Sequence, residues 1–328
     1  MSSSGPIPVL HVAGSHREVG AQLGRELGEV VRRAAAQPFE ADLVSAYRAV
    51  TIEHLPWLVE ELDAVAETAG VSPLAVFAAS VEELAAAPVP ARCTDLVAAP
   101  PRSDHVVVAH NNDLSAEQEA DVVAIEWRVP GEPVVFTLGI GPWISVGWND
   151  AGLSVTGNEL APNDERVGIP RLLQVRDVLT RRTLAEAVEA VLHPARASSY
   201  HWVLAHASGD VVNIEGSATS ASVTRPEGGV LAHTNHYVDP DMLAFERSAE
   251  RDDSASRFRR AAELLAAGVA PEEALRDHAN APSSICKHGD EQGTKTVFWC
   301  VADVTACEIV FGRGNPCRSP TQTYSFER

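Results

Sequence analysis

The stretch Pro88–Leu96 (PVPARCTDL) separates two differently patterned parts of the chain. Before it, apolar residues such as Val19 and Leu23 recur every three to four positions, which predicts a helical block over residues 14–87. A short strand-like segment, Pro8–Ala13, precedes that block. The two prolines of the stretch cannot continue a helix and favour extended backbone on either side. The sequence therefore predicts a boundary here, with strands beginning at its cysteine.

The segments after this boundary predict a protein rich in hairpins. Leu96–Ala99 and Val106–Ala109, joined by a polar turn, predict a hairpin with Cys93 at one end and Asp113 at the other. Further strands are predicted at 122–129, 133–138, 143–148, 153–156, 200–206, 211–215, 222–224, 230–234, 296–302 and 306–312, and helices at 169–181, 184–192, 256–267 and 271–280. Hairpin runs on either side of paired helices predict antiparallel sheets covered by helices, not a doubly wound parallel sheet.

Composition excludes several classes of protein. The chain has 328 residues, of which 45% are hydrophobic and 22% charged, a profile typical of a globular protein with a large core. Its formal net charge of −19 disfavours nucleic acid and anionic membrane surfaces as partners, because both would repel it. Neither a signal-like start nor a membrane-length apolar run is present in the sequence, so we expect a cytoplasmic location.

The cysteines and histidines do not predict a metal site. Cys93 stands alone in the first two thirds of the chain, and four more cysteines follow towards its end: Cys286, Cys300, Cys307 and Cys317. These four lack the paired close spacing of a zinc site. His233 and His236 are three residues apart without an evident third ligand. We therefore expect reduced thiols and no metal or other cofactor.

Cys93 is the candidate nucleophile, and two kinds of base could activate it. The chain has twelve histidines, so an intact Cys-His hydrolase stays open. Alternatively, cleavage before Cys93 would create an α-amino group with a pKa of roughly 7.7 to 8.0, close to the thiol. Because the reference pKa of a thiol is about 8.5, proton transfer between the two groups would be nearly balanced.

Several motifs resemble those of one family. Cys-Thr-Asp at Cys93–Asp95, with Asn-Asn-Asp at Asn111–Asp113, resembles the acyl-coenzyme A:isopenicillin N acyltransferase family, which are self-cleaving N-terminal nucleophile (Ntn) hydrolases. The resemblance continues in order along the chain, at Gly14–Gly24 (GSHREVGAQLG), Gly147–Leu153 (GWNDAGL), His233–His236 (HTNH), Ser284–His288 (SICKH) and Phe311–Arg313 (FGR). Each motif is weak alone, but ordered matches over almost the whole chain are specific.

The resemblance implies a fold and a division of the chain. It implies a four-layer αββα sandwich, in the α+β class, with two antiparallel sheets between helical layers. Residues 1–92 would be a helical N-terminal segment, packed on the outside and released as a smaller subunit. Residues 93–328 would form the αββα catalytic subunit, and the cleavage site would lie between Arg92 and Cys93.

The resemblance also implies roles for individual residues. Cys93 would be the nucleophile, and Asp113 would orient its new ammonium group. Asn235 would donate its amide to the oxyanion of a tetrahedral intermediate, and Arg313 would supply a positive charge that favours the thiolate. Apart from the resemblance, three residues are expected to contact the substrate: Asn111 of the Asn-Asn-Asp motif, and Asn158 and Glu159, which follow the Gly147–Thr156 hairpin.

One position departs from the family pattern, which commonly has glycine immediately before the cysteine. Here that residue is Arg92. Glycine permits strained backbone that other residues resist, so we expect slower self-cleavage.

The expected function is hydrolysis or acyl transfer at a small N-acyl or peptide-like amide, through a thioester on Cys93. Expected partners are the small-molecule substrate and the two fragments of the chain itself, with a homo-oligomer left open. Two alternatives remain, namely an intact Cys-His hydrolase and a non-catalytic binding protein that keeps the fold.

Overall fold

The structure is a computed structural model that describes residues 5–84, 92–247, 252–289 and 293–326. Its helices are α1 (His16–Glu26), α2 (Gly28–Ala35), α3 (Ala41–His54), α4 (Pro56–Ala69), α5 (Pro73–Ala78), α6 (Arg171–Val178), α7 (Leu184–Val191), α8 (Asp252–Ala266) and α9 (Pro271–Ala274). The two prolines of the predicted boundary, Pro88 and Pro90, lie outside the described residues. Near the end of the predicted helical block, α5 stops at Ala78, and Glu82–Leu84 form a separate 3-10 turn.

The described residues also form fourteen strands. They are β1 (Val9–Ala13), β2 (Arg92–Ala98), β3 (Val107–Ser115), β4 (Val122–Arg128), β5 (Val135–Ile140), β6 (Trp143–Asn149), β7 (Leu153–Asn158), β8 (His201–His206), β9 (Val211–Gly216), β10 (Ala221–Thr224), β11 (Val230–His233), β12 (Thr294–Asp303), β13 (Glu308–Arg313) and β14 (Gln322–Ser325). The strand β14 was not predicted. Its four residues alternate between half-buried and exposed, and they pair with β13 at the sheet edge.

The strands form two sheets. One has eight strands in the order β1-β4-β5-β6-β7-β8-β9-β10, and the other has six in the order β11-β2-β3-β12-β13-β14. All neighbouring pairs are antiparallel except β1 and β4, which are parallel. The prediction of purely antiparallel sheets is therefore wrong at this edge. The physical reason is that the chain reaches β4 only after the helices and β2–β3, so β1 is not part of a hairpin.

Helices cover the outer faces of both sheets. Helices α1 to α7 pack on the eight-stranded sheet, where Val19 and Leu62 share one apolar core with Ile125 of β4. A second core lies between the sheets and includes Phe136 and Phe298. A third core joins α8 and α9 to the six-stranded sheet. The predicted four-layer αββα fold is thereby confirmed.

The N-terminal motif Gly14–Gly24 is explained by the contact between α1 and α4. Ser15 and Glu18 form a capping box at the start of α1. A Cβ atom on Gly20 would lie 2.1 Å from the carbonyl oxygen of Glu61, so only glycine lets α1 approach α4 this closely. The strand predicted at Pro8–Ala13 before this motif is present as β1, which belongs to the eight-stranded sheet.

The alternation of β2 separates two environments. Val97 points into the core between the sheets, whereas its neighbour Leu96 points towards α8 and α9. Because side chains alternate with a period of two, Cys93 lies on the same face as Val97, and Thr94 on the face of Leu96. This places the cysteine towards the interior, at the N-terminal end of β2.

Candidate active site

Cys93 lies in the wall of a cavity of about 870 Å³. In the β2–β3 hairpin it is paired with Asn112, whose side chain also lines the cavity. The side chain of Cys93 is only 5% exposed. A substrate in the cavity could therefore reach the thiol, while bulk solvent has little access to it.

Asn235 binds the backbone nitrogen of Cys93. The N–H of Cys93 donates to Asn235 Oδ1 at 2.7 Å, and the side-chain amide of Asn235 donates to the carbonyl of Glu159 at 3.1 Å. The backbone N–H of Asn235 donates to the Ser254 hydroxyl in the first turn of α8 at 2.8 Å. Asn235 is thus placed against the atom that would become an α-amino nitrogen after cleavage.

Arg257 of α8 is the cation at Cys93, and it was not predicted from the sequence. Its guanidinium is fully buried and donates to the Cys93 carbonyl at 2.5 Å, to Thr94 Oγ1 at 3.0 Å and to Asn235 Oδ1 at 3.0 Å. Its Nε donates to Asp253 at 2.9 Å. Arg257 could have been noticed because it stands four residues before Ala261, on the apolar face of a predicted helix.

Asp113 is buried beside the same site. Its Oδ1 accepts a 2.6 Å hydrogen bond from Thr296, while its Oδ2 is buried with no hydrogen-bond partner among the described residues. Burial raises the pKa of Asp113 to about 7, although Arg257 and the Thr296 hydroxyl act in the opposite direction. A carboxylate with an unpartnered oxygen could accept a proton or an additional cationic donor.

The Cys93 thiol is held neutral in the intact chain. Burial raises its pKa well above the usual value, and the negative charge of Asp113 raises it further. A backbone hydrogen bond from Asp113 and the charge of Arg257 lower it, but they do not compensate. Forming the thiolate therefore requires a change in the site, such as a new positive charge.

Two of the predicted substrate contacts point elsewhere. Asn111 lies on the opposite face of β3 from Asn112, and its amide donates to the carbonyls of Leu275 and Ile285 at 3.0 and 2.9 Å. Asn111 therefore anchors the segment after α9 and does not face the cavity. The residue of this motif that lines the cavity is its neighbour Asn112. Because successive side chains of a strand point to opposite faces, a difference of one residue places the side chain on the other face of the sheet.

Asn158 and Glu159 are also neighbours of which only one faces the cavity. The Asn158 amide is buried against His201, with Asn158 Nδ2 3.0 Å from His201 Nδ1. Asn158 is not among the residues that line the cavity. Glu159 does line the cavity, and one of its oxygens accepts from Arg171 at 2.7 Å. Of the three predicted contacts, only Glu159 lies where a substrate could meet it.

Arg313 is not placed at Cys93. Its guanidinium donates to the backbone carbonyls of Glu119 and Val122, between β3 and β4. In the six-stranded sheet Arg313 stands in line with Phe298, Asn112 and Cys93, three strand spacings away. That separation is about 14 Å between backbones. The expected charge at the nucleophile is supplied by Arg257 instead.

The buried histidines have other partners. His110 contacts Asp95 at 2.9 Å, and His233 contacts Glu215 at 2.9 Å while stacking on His201. Within the described part of the chain, no histidine is among the groups that bond to Cys93 or shift its pKa. The geometry gives no support to an intact Cys-His pair.

Comparison with known proteins now assigns the family. Residues 101–316, about two thirds of the chain, match the family model described as acyl-coenzyme A:6-aminopenicillanic acid acyl-transferase. The chain belongs to this family. The resemblance inferred from the motifs is thereby confirmed.

Solved structures similar to this acyltransferase family member include several amide hydrolases. They include a mutant of conjugated bile acid hydrolase from Clostridium perfringens (15% identity, 72% of this chain and 97% of that chain, TM-score 0.46) and a Caenorhabditis elegans N-acylethanolamine-hydrolyzing acid amidase ortholog (16%, 65% and 93%, 0.42). Penicillin V acylase from Agrobacterium tumefaciens is also similar (14%, 67% and 82%, 0.39). No curated protein sequence matches the chain.

Family membership indicates an amide hydrolase or acyltransferase of the Ntn type. The matched residues contain Asp113, Asn235, Arg257 and Arg313, but they begin after Cys93. In the described ranges, no helix is both long and apolar enough to cross a membrane.

Arg92, the departure from the family pattern, has a partner next to the site. Its guanidinium Nη1 lies 3.5 Å from Asp253 Oδ1. Asp253 also binds Arg257 and Lys287, which lower its pKa to about 2 although burial acts in the opposite direction. Ala91 and the rest of the predicted boundary before it lie outside the described residues.

Proposed function

We propose that this chain is a self-processing N-terminal-cysteine amidase that acts on a small N-acyl amide. One observation carries the proposal. Cys93 lines a cavity of about 870 Å³, and its backbone nitrogen is held 2.7 Å from Asn235 Oδ1. That nitrogen would become the α-amino group if the Arg92–Cys93 bond were cut.

Self-cleavage would use the Cys93 thiol and water. The sulfur attacks the Arg92 carbonyl carbon, the C–N bond breaks, and the nitrogen takes up a proton. The resulting thioester joins the Arg92 carbonyl to the Cys93 sulfur. Water then hydrolyses the thioester, leaving a carboxylate on Arg92 and a free thiol and α-amino group on Cys93. Arg257, bound to the Cys93 carbonyl, holds the residue in place during these steps.

Turnover of substrate would use the same atoms. The α-amino group accepts the thiol proton, and the thiolate attacks the substrate carbonyl. An amide N–H of Asn235 stabilises the oxyanion, a contribution on the order of 3 kcal/mol for one preorganised donor. The amine then leaves with the proton from the α-ammonium group, and water or another amine resolves the thioester. We favour water, because nothing in the sequence marks a coenzyme A site.

A new ammonium group on Cys93 would lower the raised pKa of its thiol. In the intact chain, burial and Asp113 keep the thiol protonated. A positive charge two bonds from the thiol-bearing carbon would lower the pKa of the thiol and of Asp113 together. Cleavage would thereby turn an inert thiol into a nucleophile.

The N-terminal segment is expected to stay bound after cleavage. Strand β1 pairs with β4 along five residues of the eight-stranded sheet. His16 of α1 lies between Glu61 and Glu132, with nitrogen–oxygen distances of 3.0 and 3.1 Å. The segment also supplies seven cavity-lining residues, namely Glu29, Val30, Arg33, Ala34, Gln37, Ala79 and Glu82. Loss of the segment would remove one wall of the cavity.

The lining of the cavity indicates a substrate class. Apolar side chains such as Trp143, Ile140 and Leu172 would contact an apolar acyl group. Acidic residues outnumber basic ones in the wall, and Glu159 lies in it with Cys93. We therefore propose an amide with an apolar acyl group and a neutral or cationic amine portion.

Mass spectrometry of the purified protein tests the proposal. We expect two fragments that co-purify, with the junction between Arg92 and Cys93, and hydrolysis of an N-acyl amide by this material. Cys93→Ala should remain intact and inactive, whereas Cys307→Ala, altered at a half-buried turn, should be cleaved and active. Active wild-type protein consisting only of the intact chain would refute the proposal. A cleaved but inactive protein would leave self-processing standing and reject the amidase.

A further inference from the structure

Two loops bring two histidines and two cysteines together away from the Cys93 cavity. His278, Cys286 and His288 lie in the segment after α9, and Cys317 lies in the loop after β13. One ligand atom from each residue lies within 4.8 Å of all the others. We call these four residues the Cys2His2 cluster. None of them lines the large cavity.

The cluster is close in size to a tetrahedral zinc site, with its two histidine nitrogens nearer to each other than in an ideal tetrahedron. With Zn–S bonds of about 2.3 Å and Zn–N bonds of about 2.0 to 2.1 Å, the edges of the tetrahedron would be about 3.3 to 3.8 Å. The two sulfurs, of Cys286 and Cys317, are 3.7 Å apart. The Nε2 atom of His288 is 3.7 Å from Cys286 and 3.2 Å from Cys317. His278 Nε2 is 3.2 Å from Cys317 and 2.8 Å from His288 Nε2.

A second feature supports a metal thiolate. The side-chain amide of Asn315 donates to the Cys286 sulfur at 3.5 Å and to the Lys287 carbonyl at 2.7 Å. Donors of this kind stabilise and orient metal-bound sulfur. Asn315 also ties the loop that carries Cys317 to the loop that carries Cys286, so both are held together by more than the four ligands.

We propose that the Cys2His2 cluster binds one Zn²⁺ ion as a structural site. Thiolate and imidazole ligands in a tetrahedron select zinc, and four protein ligands leave no open position for a substrate or water. The proposal does not depend on the amidase function. Reduced thiols were expected from the sequence because Cys317 stands 31 residues from Cys286 and the cysteines lack the close pairing of a zinc site.

The ion would stiffen the segment that supports the catalytic region. Lys287, between two proposed ligands, donates its backbone N–H to Thr296 Oγ1 at 3.1 Å, and that hydroxyl donates to Asp113. The ammonium group of Lys287 donates to Asp253 at 3.0 Å and to the Pro282 carbonyl at 2.9 Å. A fixed loop therefore holds groups that contact Asp113 and, through Asp253, Arg257.

Metal analysis of the full-length protein, purified after expression with added Zn²⁺, tests this site. We expect one zinc ion per chain by elemental mass spectrometry. The double variant Cys286→Ser, Cys317→Ser should lose it, to below about 0.1 ion per chain, because thiolates dominate zinc affinity. Cys307→Ser should keep a full complement. Cobalt-substituted protein should show the visible absorption of tetrahedral, thiolate-bound Co²⁺.

A second measurement keeps the test decisive if the double variant does not fold. Wild-type protein should release one equivalent of Zn²⁺ to a colorimetric chelator when its thiols are modified, and its melting temperature should fall. Zinc-free wild-type protein after zinc-supplemented expression would overturn the proposal. A Cys286–Cys317 disulfide, seen as a peptide pair linked under non-reducing conditions, would overturn it as well.

Discussion

Cys93 and Cys286 are both buried thiols, yet their surroundings differ in kind. Cys93 lies at a cavity of about 870 Å³ among a carboxylate, an amide and a guanidinium. Cys286 faces a second cysteine and two histidines across a space that suits a single ion. Burial therefore does not decide what a cysteine does. Charged groups next to an open cavity suit covalent chemistry, whereas converging sulfur and nitrogen ligands suit a metal.

The largest expected effect concerns Asp113 and the stability of the uncleaved chain. Its folded pKa of about 7 stands about three units above the ordinary 3.8. Because one pKa unit corresponds to about 1.4 kcal/mol, full ionisation costs the folded state about 4 kcal/mol. The folded state binds the proton more tightly, so this penalty develops as pH rises from about 4 to above 7.

This prediction is best measured in a Cys93→Ala background, which keeps the chain intact. Adding Asp113→Asn should raise stability at pH 8, leave it nearly unchanged at pH 4, and abolish turnover when placed in the wild-type chain. Chemical denaturation at the two pH values gives the comparison. The matched control is Asp210→Asn, because Arg225 lowers the pKa of that exposed carboxylate and its loss should slightly destabilise the protein at pH 8. Equal stability changes at both pH values would contradict the buried, neutral Asp113.

The next effect concerns Arg257. Arg257→Gln should lower kcat/KM by about 10²-fold, because the Cys93 carbonyl and Asn235 lose a charged donor, worth about 3 kcal/mol in a buried site. Arg260→Gln, on the same helix but paired with Asp277 and 30% exposed, should change kcat/KM less than about threefold. Activity should be normalised to the fraction of cleaved chain. Equal losses of kcat/KM in Arg257→Gln and Arg260→Gln would contradict a special role of Arg257 at Cys93.

The smallest expected effect tests whether the site at Cys93 and the Cys2His2 cluster depend on each other. Lys287→Met should lower turnover by about tenfold or less, since Asp253 loses one partner but keeps Arg257. Zinc content should stay unchanged, because the side chain of Lys287 is not a proposed ligand. Lys295→Met, which breaks the 2.5 Å pair with Glu119, is the matched control and should leave turnover unchanged. Loss of zinc in Lys287→Met would show that zinc binding depends on the contact between Lys287 and Asp253.

Much of the fold was predictable because its signals are local. The capping box at Ser15, the alternation around Cys93 and the turn at Asn149–Gly152 each depend on a few adjacent residues. Helix α9 was predicted too long, to Asn280, whereas the helix ends at Ala274. The side chain of Asp277 accepts a hydrogen bond from the N–H of Ala279, a local interaction that favours a turn beyond the helix.

The site was predictable only in part. Cys93, Asn235 and Asp113 follow from the motifs, and the structure brings all three together. Arg313 and Asn111 did not fall at the cavity, since the direction of a side chain depends on strand register and on what packs behind it. Arg257 stood in a helix with other arginines, and only packing showed which of them is buried.

The sequence by itself determined the family, the layered fold and the candidate nucleophile, because motif order and hydrophobic periodicity are properties of the chain alone. Only the tertiary structure decided which cation lies at Cys93 and which cysteines meet each other. Arg257 is 164 residues from Cys93, and Cys317 is 31 residues from Cys286. Contacts over such separations arise from sheet register and loop packing, which no spacing rule along the chain expresses.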